Sequence, residues 1–442
     1  MTMTTFGSKT FICINAEKQS IDMKKILYSV FMLATMVLAA CSSDIIEPAV
    51  KRGMVLKANV EDTDTRATIT DTKGVWKFAF ATDDKVKVGN DQVEGFYTFT
   101  NNGTEFSSAD ALQTTKAANW YAYFPGETIN LANQSGEFAD VAQKYALAGA
   151  TATPTTGSDG LNITMKAKAA VLCIVGVNKD DILDISVKDA DGKYVSSLTA
   201  DKKSADFKVE TSDTKVSLLK AKGAGVYYVV VPAGVKISVS NGDKSLYSGD
   251  KLMSTTKGLT AGKYYALTTG KTKGSAKNSL GETIDWVQLW AGGPKFATKN
   301  VAEAMTWTDA TKTGDQYVWG ANWRTPTKDE LNFVDAKEGT GKYDFNPLNT
   351  KAEVQVQNGV PGILYTGIQP GYTDKSIFLP RQSGDESWFS ACYWSSTVVK
   401  ETHGVTLDFI GINDAIGHYK FNDEAYTTPG SKYLVRPVLA EK

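Results

Sequence analysis

The chain is poor in the side chains that most enzymes and metal sites need. It has two histidines, His403 and His418, and four cysteines, Cys13, Cys41, Cys173 and Cys392, in 442 residues. A histidine-dependent triad would have to use one of those two imidazoles, and a serine beside either would be coincidental. No catalytic residue is assigned, and an enzyme is not expected. Zinc fails for the same shortage of Cys and His at suitable spacing, so no metal ligands are assigned. Cys173 and Cys392 fall far apart, each in an apolar or aromatic run, which suits buried inert thiols better than a disulfide framework. The net charge of -1 supplies no basic field for nucleic acid, and none is expected as a partner. After Leu38 no apolar run is long enough to span a bilayer.

What is present begins at the amino end. Lys24-Lys25 precede a short apolar run, Ile26 to Leu38, which closes on Leu38-Ala39-Ala40-Cys41. A positive n-region, an apolar h-region and small residues before a cut mark a secretory signal, read here as residues 1–40, with the true start expected at Met23. The final tetrad resembles the lipobox of bacterial lipoproteins. That resemblance implies a diacylglycerol-alkylated Cys41 as the mature amino terminus and a lipid anchor in the outer membrane. An ordinary signal peptide with a chance cysteine is the alternative.

From the polar tether at Ser42 to Gly270, short segments of alternating character are bounded by Gly, Asp and Asn, as in Gly95-Phe96-Tyr97-Thr98-Phe99. Period-two alternation with frequent turn signals predicts tandem β-sandwich domains, divided near Thr151 to Asp159. Trp76, Asp84 to Val88, Trp120 to Pro125, Val229 to Pro232 and Leu259 to Tyr265 together resemble the landmarks of the fimbrillin (Mfa-like, type V pilin) lipoproteins of Bacteroidota. The resemblance implies a lipidated leader with a removable first strand (residues 41–66), an N-terminal β domain (67–157) and a C-terminal β domain (158–270). It also implies proteolysis between Arg66 and Ala67, with Arg52 as runner-up, after which the vacated groove accepts a strand from another fimbrial subunit. A solvated arginine in a flexible leader is the competing reading of Arg66.

Residues 271–280, beginning Lys-Thr-Lys-Gly-Ser-Ala-Lys-Asn, read as a flexible linker. Composition then shifts: seven of the nine tryptophans lie beyond it. Thr327 and Glu330 form a capping box ahead of Leu331 and Phe333, which predicts a short helix from Lys328 to about Asp335. Long loops rich in Asn, Asp, Gly and Tyr separate the strands, a feature of binding loops. Phe296 to Val301, Val318-Trp319-Gly320, Trp323 to Thr327, Asn358 to Gly362, Ile377 to Pro380, Tyr393 to Thr397 and Val435 to Val438 resemble the signature of the major paralogous (Fib_succ_major-type) domain, a C-type-lectin-like module. The resemblance covers 281–442 and implies an α+β domain whose tryptophans and Arg-Pro strand belong mainly to the core.

The expected ligand-facing residues are Trp388, Phe389, Asn413, Asp414, His418, Tyr419, Asn422, Asp423 and Tyr426. Tyr and Trp give large contact area for little entropy, and Asn, Asp and His add adaptable hydrogen bonds. Core filling is the alternative for each aromatic. Asn413-Asp414 and Asn422 to Glu424 offer oxygens for calcium, yet they lack the Glu-Pro-Asn or Gln-Pro-Asp context of sugar-binding lectins, so solvated turns fit better and no cofactor is assigned. The sequence therefore predicts a mainly β, surface-exposed fimbrial subunit, at the tip, whose lectin-like module binds a glycan or protein. The alternative is a surface lipoprotein that binds such a ligand without polymerising.

Overall fold

Alternating side chains can bury one face of a strand only if the sheet closes on itself or meets a second sheet. Both solutions occur in the computed structural model, which describes residues 54–60, 70–72, 75–77, 80–110, 119–151, 160–249, 251–253, 258–336, 345–381, 389–400, 403–412, 415–422 and 430–440. The first is a barrel of seven strands: β1 (Met54–Val60), β2 (Lys85–Gly89), β3 (Tyr97–Asn101), β4 (Phe106–Ser108), β5 (Trp120–Phe124), β6 (Leu147–Thr151) and β7 (Gly160–Ala167). Around the barrel they run β1, β7, β6, β5, β2, β3, β4 and back to β1. In β7 the alternation is complete: Leu161, Ile163 and Met165 are buried while Asn162, Thr164 and Lys166 are exposed.

The second solution is a sandwich. Its strands are β8 (Ala169–Gly176), β9 (Ile182–Lys188), β10 (Tyr194–Ala200), β11 (Phe207–Ser212), β12 (Leu219–Lys222), β13 (Gly225–Pro232), β14 (Ser238–Asn241) and β15 (Tyr264–Thr268). All eight residues of β8 are buried, because it lies between β13 (antiparallel) and β15 (parallel) and is covered on both faces. A strand in that place reads as one continuous apolar run. The facing sheet orders β11, β10, β9, β12, with β14 also on β9.

Barrel and sandwich are interleaved. A short strand, Thr128–Asn130, leaves the barrel between β5 and β6 and pairs with β10. The Tyr123 hydroxyl donates to the carbonyls of Asp201 and Ser204, and Lys202 Nζ donates to those of Val93 and Glu94. One apolar core runs from Leu56 to Leu267 through both bodies. The division expected near Thr151 to Asp159 therefore falls between two barrel strands, and the changeover is at Lys168. No Gly, Pro or Asn marks that point, since β7 passes almost directly into β8.

The main strands beyond the sandwich are β16 (Lys273–Lys277), β17 (Thr283–Gln288), β18 (Lys295–Ala297), β19 (Trp323–Arg324), β20 (Thr350–Gln357), β21 (Val360–Gly367), β22 (Ser376–Pro380), β23 (Phe389–Lys400), β24 (His403–Ile412), β25 (Ala415–Asn422) and β26 (Val438–Leu439). They form three sheets, β16-β17-β18-β26-β19, β20-β21-β22 and β23-β24-β25. The expected flexible linker is instead β16, paired with β17 from Lys273↔Val287 to Lys277↔Thr283. Its small residues serve packing: a Cβ on Gly274 would meet the Trp286 ring at 2.7 Å. The capping box forms as expected, with Glu330 N donating to Thr327 Oγ1 at 3.2 Å and Thr327 N to Glu330 Oε2 at 2.8 Å. The helix it starts stops after one turn, Asp329–Leu331, and a strand follows at Val334–Ala336. Leu331 and Phe333 are both fully buried, a two-residue spacing that extended backbone satisfies and a helix does not. Trp290, Trp319, Trp323 and Trp394 are buried, in keeping with the core role that the resemblance implied.

This last module is seated on the sandwich. Gln288 Nε2 and Gly292 N both donate to the Val177 carbonyl, at 3.0 and 3.1 Å. Tyr372, fully buried, packs with Val175 and Val177.

Candidate functional site

Strand β1 is the candidate assembly element. It is the first described strand, and it fills the place between β7 and β4 that closes the barrel. Six residues, Val55 to Val60, lie parallel to Gly160 to Met165 of β7, and three, Met54 to Leu56, lie antiparallel to β4. Beyond Leu56 its other edge has no β4 partner, because β4 is only three residues long. Leu56 is completely buried, Ala58 and Val60 are half-buried, and Lys57 is exposed. Gly160 permits the approach: a Cβ there would lie 2.7 Å from the Val55 carbonyl oxygen. A strand held by its backbone along one full neighbour, with one large apolar side chain as anchor, is the arrangement that strand addition produces. Cys41, Arg66 and Ala67 lie outside the described residues.

The candidate ligand-binding region is the sheet β23-β24-β25. The expected ligand residues, placed by the sequence in long loops, fall partly on strands: β24 runs to Ile412 and β25 resumes at Ala415. Phe389 pairs with Ile410 and Ile410 with His418, so two of the expected residues share one rung across three strands. Tyr419 and Asn422 occupy other rungs of β25, opposite Phe409 and Thr406. Alternation in His403 to Asn422 was the available signal; the many Asn, Asp and Gly residues obscured it. Trp388, Asn413, Asp414, Asp423 and Tyr426 lie outside the described residues. Among the described residues no group of three His, Cys, Asp or Glu side chains is placed to hold a metal.

The base of this region is fixed by Arg436, which the sequence reading placed in the core without assigning it a task. Its guanidinium is 2 % exposed and donates through Nε to Asn300 Oδ1 (2.8 Å), through Nη1 to the Ala297 carbonyl (3.0 Å) and through Nη2 to the Phe378 carbonyl (2.7 Å). Asn300 Nδ2 in turn donates to the Tyr393 hydroxyl, which donates to the Pro380 carbonyl. Burial pushes the Tyr393 hydroxyl up to about 12, so it remains a donor. β18, β22 and the start of β23 are thus pinned to one cation. Among the described residues no carboxylate pairs with it; carbonyl and amide dipoles carry the charge.

No family model matches the chain, and no curated protein matches it. Among solved structures, a candidate cell adhesion protein from Bacteroides ovatus is similar at 12% identity, covering 50% of this chain and 92% of that one, with a TM-score of 0.31. Another, from Bacteroides uniformis, gives 14% identity, 53% and 97% coverage and a TM-score of 0.29. A fimbrial protein from Bacteroides ovatus gives 12% identity, 88% and 99% coverage and a TM-score of 0.23.

Proposed function

We propose that the chain is a surface-exposed fimbrial subunit that joins its filament by strand exchange at the β1 groove and carries a binding module at the tip. The observation that supports this is β1 itself, an amino-proximal strand that completes the barrel and is joined to it through the segment containing Arg66. A cut between Arg66 and Ala67 would free β1 and open one row of backbone groups on β7 together with the Leu56 pocket. A neighbouring subunit's strand then supplies both. Support for the tip position comes from the other end of the pilin portion. β15 is paired to β8 and runs within four residues into β16, and the intervening Thr272 is buried. No terminal strand is left there for donation. In this reading Cys41 carries the lipid that takes the chain to the outer membrane, and the last module meets a glycan or protein.

The second reading is a lipoprotein that stays tethered and never polymerises, and a barrel already filled by its own β1 favours it. Amino-terminal sequencing of surface material separates the two. Ala67 is expected for the fimbrial subunit, and a lipid-modified Cys41 as the sole terminus refutes it.

A further inference from the structure

A groove of about 530 Å³ opens on the last module, and none of the described residues expected to face a ligand lines it. Val301, Met305 and Trp319 line it, and two side chains that should avoid water stand at its border: Leu280, 77% exposed, and Val318, 48% exposed. Leu280 is not out in solvent because its backbone is loose. The Asn278 side chain accepts hydrogen bonds from Leu280 N and Glu282 N, while Ser279 donates from N to the Trp319 carbonyl and from Oγ to the Val318 carbonyl. A rigid turn that holds a leucine in water beside an apolar-lined groove suits a surface covered by a partner.

The charged rim indicates what kind. Asp309 already accepts from Lys312 Nζ and Thr306 Oγ1, both at 2.8 Å. Lys432 lines the same groove and adds to the positive field that, with the Lys312 contact, holds the Asp309 carboxyl below its ordinary range. Glu303 lines the groove as well, and neither Lys432 nor Glu303 forms an ion pair among the described residues. The aliphatic border and the nearly buried Trp319 ring, 6% exposed, offer no open aromatic face for a sugar. We propose that this groove binds an extended segment of a protein partner, seating one large apolar side chain against Leu280 and Val318, with an acidic neighbour on Lys432 and a basic one on Glu303. The site is independent of strand exchange at β1.

The test is selection of linear peptides of about a dozen residues, displayed on phage, against the purified full chain. Enriched sequences should carry a large apolar residue flanked by an acid and a base. Binding of the enriched peptide should fall at least about tenfold in Leu280→Ser and in Lys432→Glu, and exchanging the peptide's acid for lysine should restore it to Lys432→Glu. Both residues are exposed, so each variant should keep the parental circular dichroism spectrum; Val318→Ser is the second apolar probe. No enrichment, or enrichment of peptides whose binding survives all three substitutions, overturns the proposal. So does a glycan array on which sugars bind and Leu280→Ser abolishes that binding. None of these outcomes bears on whether Ala67 becomes the amino terminus.

Discussion

If β1 is an exchangeable strand, a peptide of residues 53–66 should bind a chain that begins at Ala67, and Leu56 should dominate that binding. Ordering seven residues costs about 1 to 2 kcal/mol each in backbone entropy, so roughly 7 to 14 kcal/mol opposes the peptide. Backbone pairing along β7 and β4 offsets much of this without regard to sequence, and the side chains decide the remainder. Leu56 is fully buried in the barrel core. Its replacement by alanine leaves a cavity that the half-buried Ala58 and Val60 cannot fill, worth about 3 kcal/mol, or roughly 150-fold in Kd. Lys57, exposed on the same strand, should tolerate alanine with less than about a twofold change. The assay is fluorescence anisotropy of labelled peptide, or thermal melting of the co-refolded complex if the shortened chain does not fold alone. A Leu56→Ala peptide that binds within twofold of the parent refutes the reasoning, as does equal loss from Lys57→Ala. A peptide of reversed sequence should also fail, because the register is parallel to β7.

Replacing Arg436 with Gln strips donors from three oxygens, one buried and two partly buried, and should destabilise the last module by about 3 to 5 kcal/mol, read as a shift in the urea midpoint; Lys should rescue only part, because one ammonium cannot reach all three. Calorimetry of the full chain should show the sandwich and last module melting together, and Gln288→Ala, which removes a buried hydrogen bond to Val177, should split the transition or lower it; a separate low-temperature peak in the parent would contradict the seated junction. Burial alone would raise the Glu330 carboxyl, but the paired hydrogen bonds and charge of Arg324 and the Thr327 N–H outweigh it and hold the group below its ordinary value of 4.5. A group whose folded pKa is depressed adds stability that is present above that ordinary value and lost as pH falls through the folded one. Glu330→Gln should therefore lower stability at neutral pH and flatten the loss below about pH 4.5; superimposable acid denaturation profiles would exclude this.

The fold class was legible because alternation survives wherever one face of a strand is buried, as in β7. The module boundary was not, because β7 and β8 follow one another with only Lys168 between them. β16 was misread for a related reason: Gly274 is small so that Trp286 can lie across it, and smallness by itself looks like flexibility. Asn358-Gly359 shows the reverse case. Both residues have positive φ, at 51° and 80°, and they join β20 to β21 as a tight hairpin. The dipeptide carried that information locally, since few other residues accept two such positions in a row. The groove beside Leu280 left no trace in any single stretch; its lining comes from four separated segments that only the tertiary fold brings together.

The same continuous packing decides how the molecule is organised. A beads-on-a-string reading assigns each function to its own detachable domain. The structure instead threads Thr128–Asn130 from the barrel into the sandwich and seats β17 and Tyr372 on the sandwich at Val177. A pull on a strand docked in the β1 groove would pass through β7 to β8, which follows it after a single residue, and from β8 through β15 to the last module. Load would therefore travel along paired strands in shear instead of through a flexible tether. For a filament subunit that holds a target, this route places the weakest link at the ligand contact or at the exchanged strand, and it predicts that the modules separate only after the sandwich itself has opened.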